Sequence, residues 1–251
     1  MIVSQIRILA VLLVCLTALA GCNRSKDAEV AKVKTEAEAE ASKAEATKAV
    51  QAQPKVDADR RAAEWVLLVK GSVKITTNGV ESEVKNSMEL PKEPFKLVGV
   101  RFEWGNVNVT NDAIAALNGA SGLRELLMGG SGNFGDAGAM HFRELKNLIS
   151  LSLDATQISD TGIESIAALP NLETLTLNGT KVSDKGMEKL AEMKNLKVLW
   201  LSGTSVSDVG LQHLGKLSQL ETIQLADTKI SDAGIAKLKE DLPKVRIDGR
   251  K

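Results

Sequence analysis

From Leu148 to Asp241 the apolar residues recur at a spacing of 24 positions. Leu148, Leu151, Leu153, Ile158, Ile163, Ile166 and Leu169 return as Leu172, Leu175, Leu177, Val182, Met187, Leu190 and Met193. They return again as Leu196, Leu199, Leu201, Val206, Leu211, Leu214 and Leu217, and a fourth copy opens at Leu220. A fixed period of this length marks a solenoid of stacked units. Within one copy the spacing changes character. Leu151 and Leu153 alternate with Ser150, Ser152 and Asp154, which predicts a short strand with one buried face. Thr156 follows at a turn, and Ile158 points back inside. Ser159-Asp160 is a helix start, because Ser caps free N–H groups and Asp suits the positive end of the dipole. Ile163, Ile166 and Leu169 form one stripe of a short helix, which Pro170-Asn171 ends. A unit of strand, turn, helix and turn cannot cover both its faces alone. Stacking covers them, with the strands paired in a parallel sheet on the concave side and the helices on the convex side.

The repeated string Leu-x-x-Leu-x-Leu-x-x-Thr-x-Ile-Ser-Asp-x-Gly-Ile resembles the leucine-rich repeat family. The resemblance is to the subclass with Thr at the ladder position and Ser/Thr-Asp-x-Gly-Leu before the helix, as in bacterial leucine-rich repeat proteins and the arrays of F-box proteins. It implies an α/β leucine-rich repeat solenoid, a short arc with a parallel concave sheet and short convex helices. Thr156, Thr180, Thr204 and Thr228 stand where the general signature has Asn or Cys. Their hydroxyls are expected to bond backbone between turns, with fewer bonds than Asn makes.

Upstream the repeats loosen. Leu97 and Leu123 open two degenerate copies, carried by Val100, Phe102, Val109, Ile114 and Leu117, then by Leu126, Met128, Phe134 and Phe142. Their turns, Trp104-Gly105-Asn106 and Gly129 to Asn133, are longer and glycine-rich. The second lacks the Lys-Ser/Thr ending of a phosphate loop. Residues 58–96 are expected to cap the first repeat. Ala62, Ala63, Trp65, Val66 and Val69 fit one helical stripe, widened by Leu67 and Leu68. Gly71 stops the helix, and strands around Val73–Thr76 and Val80–Val84 flank an Asn78-Gly79 turn. Trp65 is expected in the core. The repeat domain with its C-terminal cap runs over 97–251. Lys244, Arg246 and Asp248 charge the last strand, which would otherwise be an open sheet edge.

The first 57 residues differ in kind. Residues 1–21 have the pattern of a signal peptide: Arg7, then an apolar run from Ile8 to Ala20 that is short for a span. Leu19-Ala20-Gly21-Cys22 resembles the bacterial lipobox, which implies a lipid on Cys22, a membrane anchor and residence in the cell envelope. Asn23 in place of Asp favours the outer membrane or its periplasmic face. Residues 22–57 are rich in Ala, Glu and Lys, a composition that favours a disordered or helical tether and offers no core.

Composition and charge narrow the function classes. The chain of 251 residues has 32 basic and 32 acidic residues, which is no nucleic-acid signature. Cys15 and Cys22 are the two cysteines, so the chain beyond residue 22 has no internal disulfide to form. His141 and His213 lie in separate predicted helices. Asp160, Asp184, Asp208 and Asp232 recur, as does Ser before each, but helix starts account for both. Gly162, Gly186, Gly210 and Gly234 are expected to let each helix pack close to the turn before it. No catalytic or metal-ligating constellation emerges, and no cofactor is expected.

The strand positions between the core leucines remain. Most are small, as in Ser150, Ser152, Thr174 and Thr222. Trp200 is the exception, sharing its face with Val198 rather than with Leu199 and Leu201. An exposed Trp among hydroxyls and amides is a plausible anchor for a protein loop or a sugar ring. The expected contact surface comprises Trp200, Thr176, Gln224, Asn178, Val198 and Leu127, with Arg101 and Glu125 as a charged end. The function expected is binding of a protein or glycan through the concave face. Alternatives are a non-binding spacer of the envelope or a subunit of an enzyme complex.

Overall fold

A computed structural model describes residues 57–249. The expected signal peptide, the lipidation at Cys22 and nearly all of the tether lie outside them.

The chain enters through helix α1 (Ala58–Leu68), whose N-terminus is capped by the Asp57 carboxylate. Ala62, Ala63 and Val66 are buried on its inner face, and Trp65 and Leu67 pack partly against the core. Trp65 meets Phe102 edge-on, with ring centroids 5.6 Å apart. Leu68 does not join that stripe. It is 80% exposed, because the helix ends there and Lys70 turns the chain into the left-handed region. Strands β1 (Gly71–Thr77) and β2 (Val80–Val84) form a hairpin. Both residues of its Asn78-Gly79 turn have positive φ, as a tight hairpin requires.

β1 then pairs antiparallel with β3 (Lys96–Phe102), and from β3 onward every neighbour is parallel. The order is β2, β1, β3, β4 (Glu125–Leu127), β5 (Ser150–Ser152), β6 (Thr174–Thr176), β7 (Val198–Trp200), β8 (Thr222–Gln224) and β9 (Arg246–Asp248). The cap hairpin therefore extends the solenoid's own sheet instead of lying across its end. α2 (Asp136–Ala139), α3 (Asp160–Ile166), α4 (Asp184–Leu190), α5 (Asp208–Leu214) and α6 (Asp232–Asp241) stack on the opposite side. Strands stack about 4.8 Å apart and helices about 8–10 Å apart, so the sheet lies on the inside of the curve.

The core is continuous along the stack. Leu151, Leu175, Leu199 and Ile223 are aligned on successive strands and fully buried. Phe134 and Phe142, in a degenerate repeat, pack against each other at 5.4 Å.

Three sets of hydrogen bonds recur along the repeats, and two of them depart from expectation. Each Thr hydroxyl stays within its own turn: Thr156 donates to the Leu153 carbonyl at 2.7 Å, and Thr180, Thr204 and Thr228 repeat the bond. The bonds between turns belong to other residues. Asn147, Asn171 and Asn195 each donate from Nδ2 to a carbonyl of the preceding repeat. On the helix side, each Asp serves the helix after its own. Asp160 accepts from the Ser183 amide at 2.8 Å, the Ser183 hydroxyl at 2.6 Å and the Gly186 amide at 3.0 Å. Asp136, Asp184 and Asp208 likewise accept from Ser159, Ser207 and Ser231. The glycine is what admits the carboxylate: a Cβ on Gly186 would stand 2.7 Å from Asp160 Oδ1.

Candidate functional site

The inner sheet face presents two rows of side chains. One row runs Gly99, Glu125, Ser150, Thr174, Val198, Thr222 and Arg246 across β3 to β9. The other runs Arg101, Leu127, Ser152, Thr176, Trp200, Gln224 and Asp248. The period-2 alternation that buries Leu175 and Leu199 turns these residues outward. A third row, just past the strands, contains Gly129, Asp154, Asn178, Ser202 and Ala226.

The predicted contact residues thus share one face but differ in availability. Trp200 stands between Thr176 and Gln224 and is 38% exposed. Thr176 is only 7% exposed. Its hydroxyl donates to Asp154 Oδ2 at 2.8 Å and lies 2.9 Å from Ser152 Oγ. Asp154 Oδ1 accepts the Asn178 amide at 2.7 Å, and Asn178 Oδ1 accepts the Ser202 amide at 2.8 Å. This Asp154–Asn178–Ser202 line orders the strand ends, leaving the Asn178 Nδ2 hydrogens for a ligand. Glu125 is paired with Lys74 at 3.1 Å, so its charge is already matched within the sheet. Arg101 is exposed; Leu127, Val198 and Gln224 are half-buried.

Sequence reasoning missed a second aromatic on this face. Trp104 follows β3 and is 70% exposed. Its six-membered ring lies across Gly129 and Gly130 of the next repeat. A Cβ on Gly129 would stand 2.6 Å from Trp104 Cζ3, and one on Gly130 would stand 2.9 Å from Cε2. The ring therefore fills the place where other repeats put the side chains of Asp154 and Asn178. The signal was present as a pair of glycines facing a Trp one repeat earlier.

A separate groove of ≈ 410 Å³ runs where the strands begin, lined by Arg124, Asn147, Ile149, Asn171, Glu173 and Asn195. Its charges are already matched: Arg124 pairs with Glu81, and Lys197 with Glu173 at 2.8 Å. The second pair raises the Lys197 pKa through the Glu173 hydrogen bond. Among the described residues, no three His, Cys, Asp or Glu side chains are grouped to hold a metal ion. None of the described helices is long and apolar enough to cross a membrane.

A match to a known repeat profile agrees with this architecture. A family profile described as Leucine Rich repeat matches residues 168–191, which span one strand and the helix after it. No curated protein sequence matches the chain. Among solved structures, internalin C2 from Listeria monocytogenes aligns at 24% identity and a TM-score of 0.47, over 60% of this chain and 70% of that one. An internalin F from the same organism aligns at 24% identity and a TM-score of 0.43, over 54% of this chain and 43% of its own. The yeast structure of the Rad7 and Elc1 complex aligns at 20% identity and a TM-score of 0.48, over 57% and 40%. The chain thus spans less than half of the last two. The fold is a leucine-rich repeat solenoid of the α/β class, as its sheet, its alternating helices and the matched repeat define it.

Proposed function

We propose that this protein is a binding module whose contact surface is the inner sheet face centred on Trp200, held in the cell envelope by a lipid on Cys22. One observation carries the first half. Neighbouring strands place Ser152, Thr176 and Gln224 where β7 places Trp200, so the fold works with a small or polar residue there. A large indole kept 38% exposed on that row has no packing role that the repeat demands. Buried aromatic anchors dominate binding energy at interfaces, and Trp leads among them. No group of side chains on the face is arranged as nucleophile, base and orienter, so binding rather than catalysis is the role assigned.

The test is capture of a partner from solubilised envelope, followed by affinity measurement with Trp200→Ala. The expected loss is at least about 1–2 kcal/mol without a shift in the unfolding midpoint. Unchanged affinity would move the contact off this face, and failure to recover any partner would favour a spacer. For the anchor, Cys22→Ser is expected to release the protein from the membrane fraction or leave it unprocessed. Normally processed Cys22→Ser protein that still sediments with membranes would refute the lipid.

A further inference from the structure

Two tryptophans stand on the same face, one after β3 and the other on β7. At about 4.8 Å per strand, the Trp104 ring, seated over the repeat of β4, and Trp200 on β7 are roughly 14 Å apart across the sheet. The six-membered ring of Trp104 lies against Gly129 and Gly130, and the side chain is still mostly exposed to solvent. The floor between them is hydrogen-bonding and nearly uncharged: Ser150, Ser152, Thr174, Thr176 and Asn178. Glu125 on β4 and Asp154 are the ionised groups there; Lys74 pairs with Glu125, and Thr176 and the Asn178 amide satisfy Asp154. From β4 to β8 no outward strand position holds Lys or Arg.

That floor discriminates among ligands. A nucleic acid would also stack on indoles, but its phosphates need cations that this strip lacks. The core of a protein interface is more apolar than its rim, enriched in aromatics and Met and depleted of charged residues and Ser. Here the centre is hydroxyl and amide, and the apolar rings sit at the ends. A chain of neutral sugar rings matches both features. Its C–H faces stack on an indole, and its hydroxyls exchange hydrogen bonds with Ser, Thr and Asn in place of water. Charge complementarity points the same way, because a neutral strip disfavours an ionised ligand of either sign.

We infer that the sheet face binds a neutral, linear oligosaccharide that stacks on Trp104 and Trp200 and hydrogen-bonds to the floor between them. This rests on the sheet face being the contact surface and names its ligand. The probes are cellohexaose and chitohexaose, titrated into the full chain and followed by tryptophan emission and calorimetry. At least one hexasaccharide is expected to give a saturable change. Trp104→Ala and Trp200→Ala are each expected to weaken it at least tenfold. The corresponding disaccharide, too short to reach both rings, is expected to bind far more weakly. Gly129→Ala keeps both indoles but removes the seat of Trp104, since its new methyl would stand 2.6 Å from the ring. Gly129 has no positive φ and its neighbour is an exposed side chain, so this variant is expected to fold as the parent does and still lose affinity. No saturable signal from either hexasaccharide at millimolar concentration overturns the inference, as does binding indifferent to Trp104→Ala and Gly129→Ala. If the sugars fail while a captured protein partner is lost with Trp200→Ala, the ligand is wrong and the contact surface stands. If both fail, the surface falls too.

Discussion

Asp160 and Gly186 form a single device, and a double-mutant cycle should show it. Asp160→Ala removes the acceptor of the Ser183 and Gly186 amides and of the Ser183 hydroxyl. The Ser183 amide at the start of α4 has no helical carbonyl to turn to, whereas the Gly186 amide also reaches the Ser183 carbonyl at 3.1 Å. A donor left unpaired in a buried place costs about 1–3 kcal/mol. Ser183 is half-buried and the Gly186 amide keeps one acceptor, so a loss of about 1–3 kcal/mol is expected. Gly186→Ala acts from the other side. Its Cβ would stand 2.7 Å from Asp160 Oδ1 and 3.0 Å from Val182 Cγ1. Overpacking of this kind costs about 1–3 kcal/mol, offset by about 0.4–1 from the less flexible unfolded chain. With both changes the carboxylate is gone and the methyl meets only the Val182 and Ile163 side chains, at 3.0 and 3.4 Å. The double mutant should then be about as stable as Asp160→Ala alone, a coupling of about 1–2 kcal/mol. Urea unfolding followed by far-UV circular dichroism measures all four corners. Additive costs would show that the glycine does not serve the aspartate.

Leu175 is fully buried between Leu151 and Leu199, so Leu175→Ala is expected to cost about 2–5 kcal/mol. Because each repeat is stabilised by its neighbours, hydrogen exchange should rise in β5 and β7 as well as β6; a parental unfolding curve would invert the strand phase. Gly203 has φ 69°, and a Cβ there would come no nearer than 3.6 Å to Gly179, so Gly203→Ala pays only left-handed strain, a net loss of about 0.5–1 kcal/mol by the same unfolding assay. An unaltered midpoint would contradict the strain argument. Asp59 is buried with Oδ1 unpaired and Oδ2 3.9 Å from Lys96. Burial raises its pKa above 3.8, against the lowering effect of the Leu97 amide. Its contribution to stability is therefore complete below the unfolded value and is lost as pH rises through the folded one. Asp59→Asn should flatten that decline, and unfolding free energies with the same acid-to-neutral slope in both proteins would refute it.

The repeat was legible because one period fixed two things at once. Leu151 and Leu153 announced a strand by alternation, and Ile163 and Ile166 announced a helix by spacing. The return of both after 24 residues left stacking as the way to cover them. The recurring hydrogen bonds were legible only in part. Asp160 does lie at a helix start, as its Ser-Asp context implied, but the helix it caps is the next one. Composition cannot distinguish a cap on its own helix from one on its neighbour, since both put Asp near Ser and Gly. Thr156 misled in the opposite direction: a bond expected across turns closes within one. Leu68 misled because a helical stripe tells which face is apolar but not where the helix stops.

The inner face was hard to read for a different reason. Core positions repeat, so every copy testifies for the others. Outward positions are free to differ, and Ser152, Thr176, Trp200 and Gln224 share a row without sharing a residue type. Period gives their location and nothing about their use. Trp200 stood out within its own repeat because a bulky ring broke a run of small residues. Trp104 did not, because its meaning is divided between two repeats: the ring belongs to one and the glycine seat to the next. Reading a solenoid's surface therefore requires comparing residues one repeat apart, large against small. On this chain that comparison turns one exposed tryptophan into two, with a polar floor between them.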